Sequence, residues 1–247
     1  MLGIINSEWL RTKSLKGTWI LLGFAVLSLV LPAALTLNAV QNLQSQGLDL
    51  AELGAINASQ AGGGLVPALM FIIALSAVRV SSERAHNLHA QSFLVISARW
   101  KQVAASMLVN MLLSVVAGVI GLAIALVLLS STPLPLMTND AGKIGWMVLA
   151  IAAISVMASA LGVLIPSVAG AVALPLIWAT AFEGILVSTS QFLADNVAPY
   201  LPFNNVLMLT STQPTVHTPA ISGIILILWA GLLAAAAFFV NESRDVK

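Results

Sequence analysis

The sequence predicts an all-α integral membrane protein with six transmembrane helices, on three observations. Of its 247 residues 59% are hydrophobic and 8% charged, whereas roughly a quarter of an average soluble domain is charged. The apolar residues gather into uncharged runs of about 20 residues or more, the length at which a helix rising about 1.5 Å per residue crosses roughly 30 Å of hydrocarbon. When those runs are threaded through a bilayer in turn, nine of the ten Lys and Arg residues fall on one side.

Thr18 to Leu37 carries no charge and follows Arg11, Lys13 and Lys16. It is too long for the apolar core of a signal peptide, about 7 to 15 residues, and is read as span one (18–38), with Pro32 as a kink that neighbouring helices accommodate. Span two (62–80) begins at the glycines Gly62 to Gly64, and Arg79 is expected to snorkel at its exit. Span three (103–130) ends in the turn-rich Pro133, Pro135, Asn139, Asp140 stretch. Ile144 to Phe182 is one uncharged run of 39 residues, which as a single helix is about 58 Å long, nearly twice the bilayer core. It must hold two spans (144–165 and 167–189), broken at Ile165-Pro166-Ser167 because proline removes a donor and clashes with the preceding turn. Span six is 220–240, and the whole of 1–247 reads as one transmembrane domain.

Lys and Arg near span ends stay on the cytoplasmic side. With both termini inside, only Lys143 lies outside. The net charge of +1 provides no basic field for nucleic acid, and the absence of Cys excludes disulfides, thiolate metal sites and cysteine nucleophiles. A globular soluble enzyme is excluded by the shortage of polar surface.

Three segments outside the spans draw attention. Met1 to Lys16 places Leu2, Ile5 and Trp9 on one helical face with Arg11 opposite, the pattern of an amphipathic helix lying in the interface. Ser81 to Lys101 joins spans two and three and mixes charge and His with Phe93 to Ile96, as a short amphipathic helix does when it meets a protein or lipid headgroups. Gln191 to Pro219 holds four prolines beside several large apolar residues; it is either a partly re-entrant segment or a surface loop.

The run Ser7-Glu8-Trp9-Leu10-Arg11-Thr12-Lys13 and the loop bearing Glu83-Arg84 and Ile96-Ser97-Ala98-Arg99 resemble the corresponding patches of actinobacterial ABC-2 type transporter permeases. His86-Asn87 stands where the family often has Gly-Thr, and Ala105 or Ser106 stands where a Lys is usual. The resemblance implies an exporter permease subunit of the cell membrane, with an N-terminal interfacial helix, a cytoplasmic coupling helix between spans two and three, and a partly re-entrant external segment before span six. It implies two copies of a separate ABC ATPase that bind the ATP and Mg, and a second permease copy or paralogue; this chain needs no cofactor of its own. Candidate coupling residues are Glu83, Arg84, His86, Phe93 and Arg99, and candidate interfacial-helix residues are Glu8, Trp9 and Lys13. The sequence has no G-x-x-x-x-G-K-[ST] phosphate loop, in keeping with an external ATPase.

Glu183 is the one acid inside a span. Ionisable residues there are expensive enough to be functional candidates; Glu183 either lines a substrate path or reaches the interface or the Gln191 segment. His86 and His89 share a helical face but lack a carboxylate or Cys partner, which makes them a poor metal site. A secondary transporter is disfavoured by the scarcity of intramembrane charges, and an accessory or immunity membrane protein is the other alternative. An interior of Leu, Val, Ala and Ile suits apolar or amphipathic cargo without identifying it.

Overall fold

The structure, a computed structural model, describes residues 2–47, 54–85, 99–211 and 216–243. In chain order the helices are α1 Leu2–Ser14, α2 Lys16–Ser45, α3 Leu65–Ala85, α4 Arg99–Ser130, α5 Gly142–Leu164, α6 Val168–Ile177, α7 Glu183–Thr189, α8 Gln191–Asn196, α9 Pro202–Thr210 and α10 Pro219–Ser243. The described residues contain six helical segments long and apolar enough to cross a membrane: Lys16–Ser45, Ala58–Ser82, Trp100–Ser130, Gly142–Leu164, Val168–Thr189 and Pro219–Ser243. Each coincides with one of the six runs read from the sequence. The chain is therefore all-α with the architecture of a multi-pass membrane protein.

The long uncharged run does break at Pro166. α5 ends at Leu164, Ile165 is extended, and Ser167 begins the next helix with its Oγ accepting the Gly170 N–H at 3.1 Å. A serine cap satisfies one of the amide groups that a new helix leaves open.

α3 and α5 form the centre of the bundle. Leu65, Leu69, Ile72, Met147, Ile151 and Ile154 are essentially inaccessible, in one cluster with Leu29 of α2, Leu122 of α4 and Leu226 of α10. α2, α4, α6, α7 and α10 surround this pair and turn large apolar side chains outward, among them Phe24, Leu31, Val116, Val127, Ile177 and Leu228. Outward apolar surface on that scale fits a lipid solvent. At the face opposite α1, two short strands, β1 Ile56–Asn57 and β2 Leu136–Met137, pair in parallel. There the Asp140 carboxylate accepts the Ser59 N–H at 3.3 Å, and Lys143 Nζ donates to the Ser211 carbonyl at 2.7 Å.

Pro32 leaves α2 unbroken, yet it has no N–H for the carbonyl four residues before it, that of Ser28. The Ser28 carbonyl is the group on which Gly64, at the head of α3, packs: a Cβ at Gly64 would overlap its oxygen. Proline in α2 and glycine before α3 thus make one close crossing of two helices. The collision is with backbone, which has little room to yield, so Gly64→Ala is expected to destabilise the protein by about 1–3 kcal/mol. Thermal unfolding of the purified protein in detergent reads this as a lowered midpoint; an unchanged midpoint shows that the two helices separate freely there.

Candidate functional site

Glu183 is 4% exposed and its carboxylate accepts three hydrogen bonds. Trp178 Nε1 donates to Oε1 at 2.7 Å, the Phe203 N–H to Oε1 at 3.1 Å and the Asn204 N–H to Oε2 at 2.6 Å. The last two are the first free amides of α9, whose N-terminal residue is Pro202. Proline suits that position because it has no N–H to satisfy, and a carboxylate favours the positive end of the helix dipole. Glu183 therefore acts as a cap supplied from another segment.

The backbone around Glu183 makes this geometry. Trp178–Phe182 is a π turn in which the Glu183 N–H bonds the Trp178 carbonyl, following Pro175 within α6. In a regular α-helix, residues five apart point about 140° from one another; the wider turn brings the Trp178 indole and the Glu183 carboxylate together. π turns of this kind recur at functional sites.

The segment after Glu183 folds back on the bundle. α8 and the 3-10 turn Ala198–Tyr200 lead to α9, which buries Pro202, Phe203, Asn205, Val206 and Leu209. Asn204 Nδ2 donates to the Ala198 carbonyl at 2.7 Å, and Asn205 Nδ2 to those of Pro199 and Leu201 at 2.8 Å each. Trp229 of α10 donates Nε1 to the Tyr200 carbonyl at 2.9 Å and meets Trp178 edge-on, with ring centres 6.3 Å apart. Beside this corner lies an apolar cavity of about 80 Å³, walled by Ile73, Ile154, Met157, Ala158, Leu161, Leu174, Pro175, Trp178, Pro202, Phe203, Trp229 and Leu233.

A second charged cluster lies at the other end of the molecule. Glu8 and Thr12 of α1 are buried against Arg79 of α3. Arg79 Nη2 donates to Thr12 Oγ1 at 2.6 Å and stands 4.0 Å from Glu8 Oε2, while Thr12 Oγ1 donates to the Glu8 carbonyl at 2.8 Å. Arg79 thus does not snorkel. α1 brings it a carboxylate and a hydroxyl, and pairing removes the reason for a buried cation to reach for water. Trp9 is 39% exposed with Lys13 Nζ above its ring at 5.7 Å, so α1 turns its Glu8–Thr12 side inward and Trp9 outward.

Burial raises the pKa of the Glu8 carboxyl above its usual value, with the charges of Arg11 and Arg79 opposing the shift. Of the sequence-derived docking candidates, Glu83 and Arg84 belong to the last turn of α3 and Arg99 begins α4. These ends lie at the α1 face. His86 and Phe93 fall outside the described residues. Among the described residues no group of three or more His, Asp, Glu or Cys is placed to hold a metal ion. The Glu183 cap joins residues 20 and 21 apart in sequence; the sequence signal for it is the intramembrane acid preceding a Pro-Phe-Asn-Asn helix start. Compared with protein-family models and with curated proteins, the chain matches none.

Glu183→Gln keeps one acceptor oxygen but turns an amide NH₂ toward an N–H donor, so a loss of about 1–3 kcal/mol is expected. The readouts are a lowered unfolding temperature and faster protease cleavage between Ser190 and Leu201. Parent-like values in both would mean that apolar packing alone holds α9. Glu8 has the opposite pH sense to an ordinary paired carboxylate. Its folded pKa is raised, so its contribution to stability is full below about 4.5 and declines as pH rises through the folded value. Thermal unfolding measured from acid to neutral pH should show that decline, and Glu8→Gln should flatten it; an equal slope in both proteins assigns the pH dependence elsewhere.

Proposed function

We propose that the chain is the membrane-spanning permease subunit of an ATP-binding cassette exporter, driven by a separate ATPase. The observation that carries this reading is the Glu8–Thr12–Arg79 cluster. It ties an N-terminal amphipathic helix to the last turns of α3, the helix leading into the 86–98 connection to α4. A push on that connection is delivered to α1 and α3 together, which is what an element docking on an external motor requires. The absence of a phosphate loop in the sequence supports an external energy source. The resemblance of the Ser7–Lys13 and Glu83–Arg99 patches to ABC-2 type permeases points the same way.

In this reading the α1 face is cytoplasmic in the cell membrane, because the order of the spans in the sequence assigns nine of the ten Lys and Arg residues to that side. α1 lies in the interface, and residues 86–98 with the ends of α3 and α4 form the coupling element. α8 and α9 form a segment re-entering from outside: α9 begins beside Met157 and Ala158 of α5 and ends near Gly62 and Met147. Two ATPase copies bind the ATP and Mg, and a second permease copy or paralogue completes the path. Glu183, locked into the α9 cap, is a positioning residue for that segment.

The reading is tested in the membrane. Cysteines at Gln44 or Asn139 should label from outside intact cells and one at Ser82 should not; the reverse pattern overturns the orientation. Glu83→Ala with Arg84→Ala should leave the permease at normal level, because no span loses hydrophobicity, and should reduce the P-loop ATPase recovered with it in mild detergent. If the parent chain recovers no such ATPase, the transport assignment gives way to an accessory or immunity role.

A further inference from the structure

One face of α4 carries a polar side chain every fourth residue over its first half: Gln102, Ser106, Asn110 and Ser114. Residues four apart on a helix stand nearly above one another. All four are within 6% of full burial, in the part of the bundle where α1, α3 and α5 surround α4. The inner end of the stripe is closed by hydrogen bonds. Ser114 Oγ donates to Ser155 Oγ at 3.2 Å, Ser155 and Ser76 hydroxyls lie 3.0 Å apart, and Asn110 Nδ2 donates to Ser159 Oγ at 3.1 Å. The outer members differ. Gln102 Oε1, Ser106 Oγ and Asn110 Oδ1 are buried oxygens with no hydrogen-bond partner among the described residues.

Helix packing through serine and asparagine accounts for the inner bonds. It leaves the three oxygens unexplained, because an unpartnered buried polar atom costs about 1–3 kcal/mol. The backbone positions that carry them are about 6 Å apart along the axis, roughly twice the length of an O–H···O bond. A water between neighbouring members is the partner that this spacing suits. Past Ser76, Ser114 and Ser155 toward the opposite face the same three helices present Leu69, Ile72, Leu122, Met147 and Ile151, all fully buried and apolar. Polar lining stops where this plug begins.

We propose that Gln102, Ser106 and Asn110 line a file of water that enters the bundle from the α1 face and ends blind at the Ser76–Ser114–Ser155 hydroxyls. The file runs about 18 Å from Gln102 to Ser114, more than half of a hydrocarbon core of about 30 Å. Its mouth lies at the end of the bundle where Glu8, Thr12 and Arg79 are buried. It gives those groups a hydrogen-bonded route to the aqueous phase and carries water, and protons along it, to mid-bundle without crossing. The inference rests on the bundle interior alone and holds whether or not an ATPase drives the protein.

The sequence contains no cysteine, so single cysteines serve as reporters directly. Silver ion, about the size of a water molecule, is applied in chloride-free buffer to sealed vesicles of either orientation, and unreacted thiol is counted with a maleimide after denaturation. Ser106→Cys is nearly isosteric and should react at least tenfold faster than lipid-facing Val116→Cys, and only from the α1 side. Leu122→Cys, beyond the plug, should stay at the control rate from both sides. A Ser106→Cys rate equal to that of Val116→Cys means a dry helix interface and overturns the file; fast reaction of Leu122→Cys means a path through the protein and overturns the blind end. Co-elution of each variant with the parent on gel filtration verifies folding, and Ser155→Cys, at the inner end, repeats the test if Ser106→Cys does not fold.

Discussion

A helix that starts inside an apolar bundle has to find partners for its first amides within the protein, because no solvent is there to supply them. α9 is such a helix, and Glu183 is its partner. Much of the surrounding structure is arranged to make that contact. Pro175 precedes the π turn, the turn aims Trp178 and Glu183 at one point, and Asn204 and Asn205 take up the carbonyls of the incoming chain. With its first amides and the Asn204 and Asn205 amide groups bonded in this way, α9 lays Phe203, Val206 and Leu209 against the central helices.

The Glu8–Thr12–Arg79 cluster solves the same problem with the charges exchanged. There the buried cation belongs to a span and the acceptors arrive on α1. The energetics of the Glu8–Arg79 pair are asymmetric. Burying a charge with its partners is close to break-even, whereas removing one partner and leaving the other buried costs about 3–5 kcal/mol. Both contacts hold neighbouring segments to one arrangement: α1 to α3 at one end, α7 to α9 at the other.

The spans were legible in the sequence because lipid imposes a one-dimensional rule, an uncharged run of sufficient length, and Pro166 stands where one run has to become two. Long runs also hid what lies within them. Hydropathy does not register that Pro175 is followed by a five-residue turn, since the turn changes direction without changing composition. It also cannot say that Arg79, six residues before the end of α3, meets Glu8 from a segment 71 residues away; a lone cation near a span end reads as snorkelling until its partner is seen. The buried stripe on α4 was written in the sequence as a four-residue spacing of Gln102, Ser106, Asn110 and Ser114. Only the packing of α3 and α5 against that face distinguishes it from a polar surface. Glu183 was legible as an anomaly, and its role as a cap needed the fold.

The two charged contacts tie together different sets of helices. Gly64 seats α3 on α2 and Arg79 seats it on α1, so these three helices share backbone-level and ionic contacts. Glu183 and the Trp178–Trp229 contact join α6, α7, α9 and α10 in the same manner. α5 packs against α3 on one side and α10 on the other, and Gly162 lets it approach the Ala77 carbonyl of α3 closely. The apolar cavity lies beside α5 where the two groups meet, with Ile73 from one and Leu174, Phe203 and Trp229 from the other. Atoms lining a void have no partner on that side, so the two groups hold each other less tightly there than they hold α5.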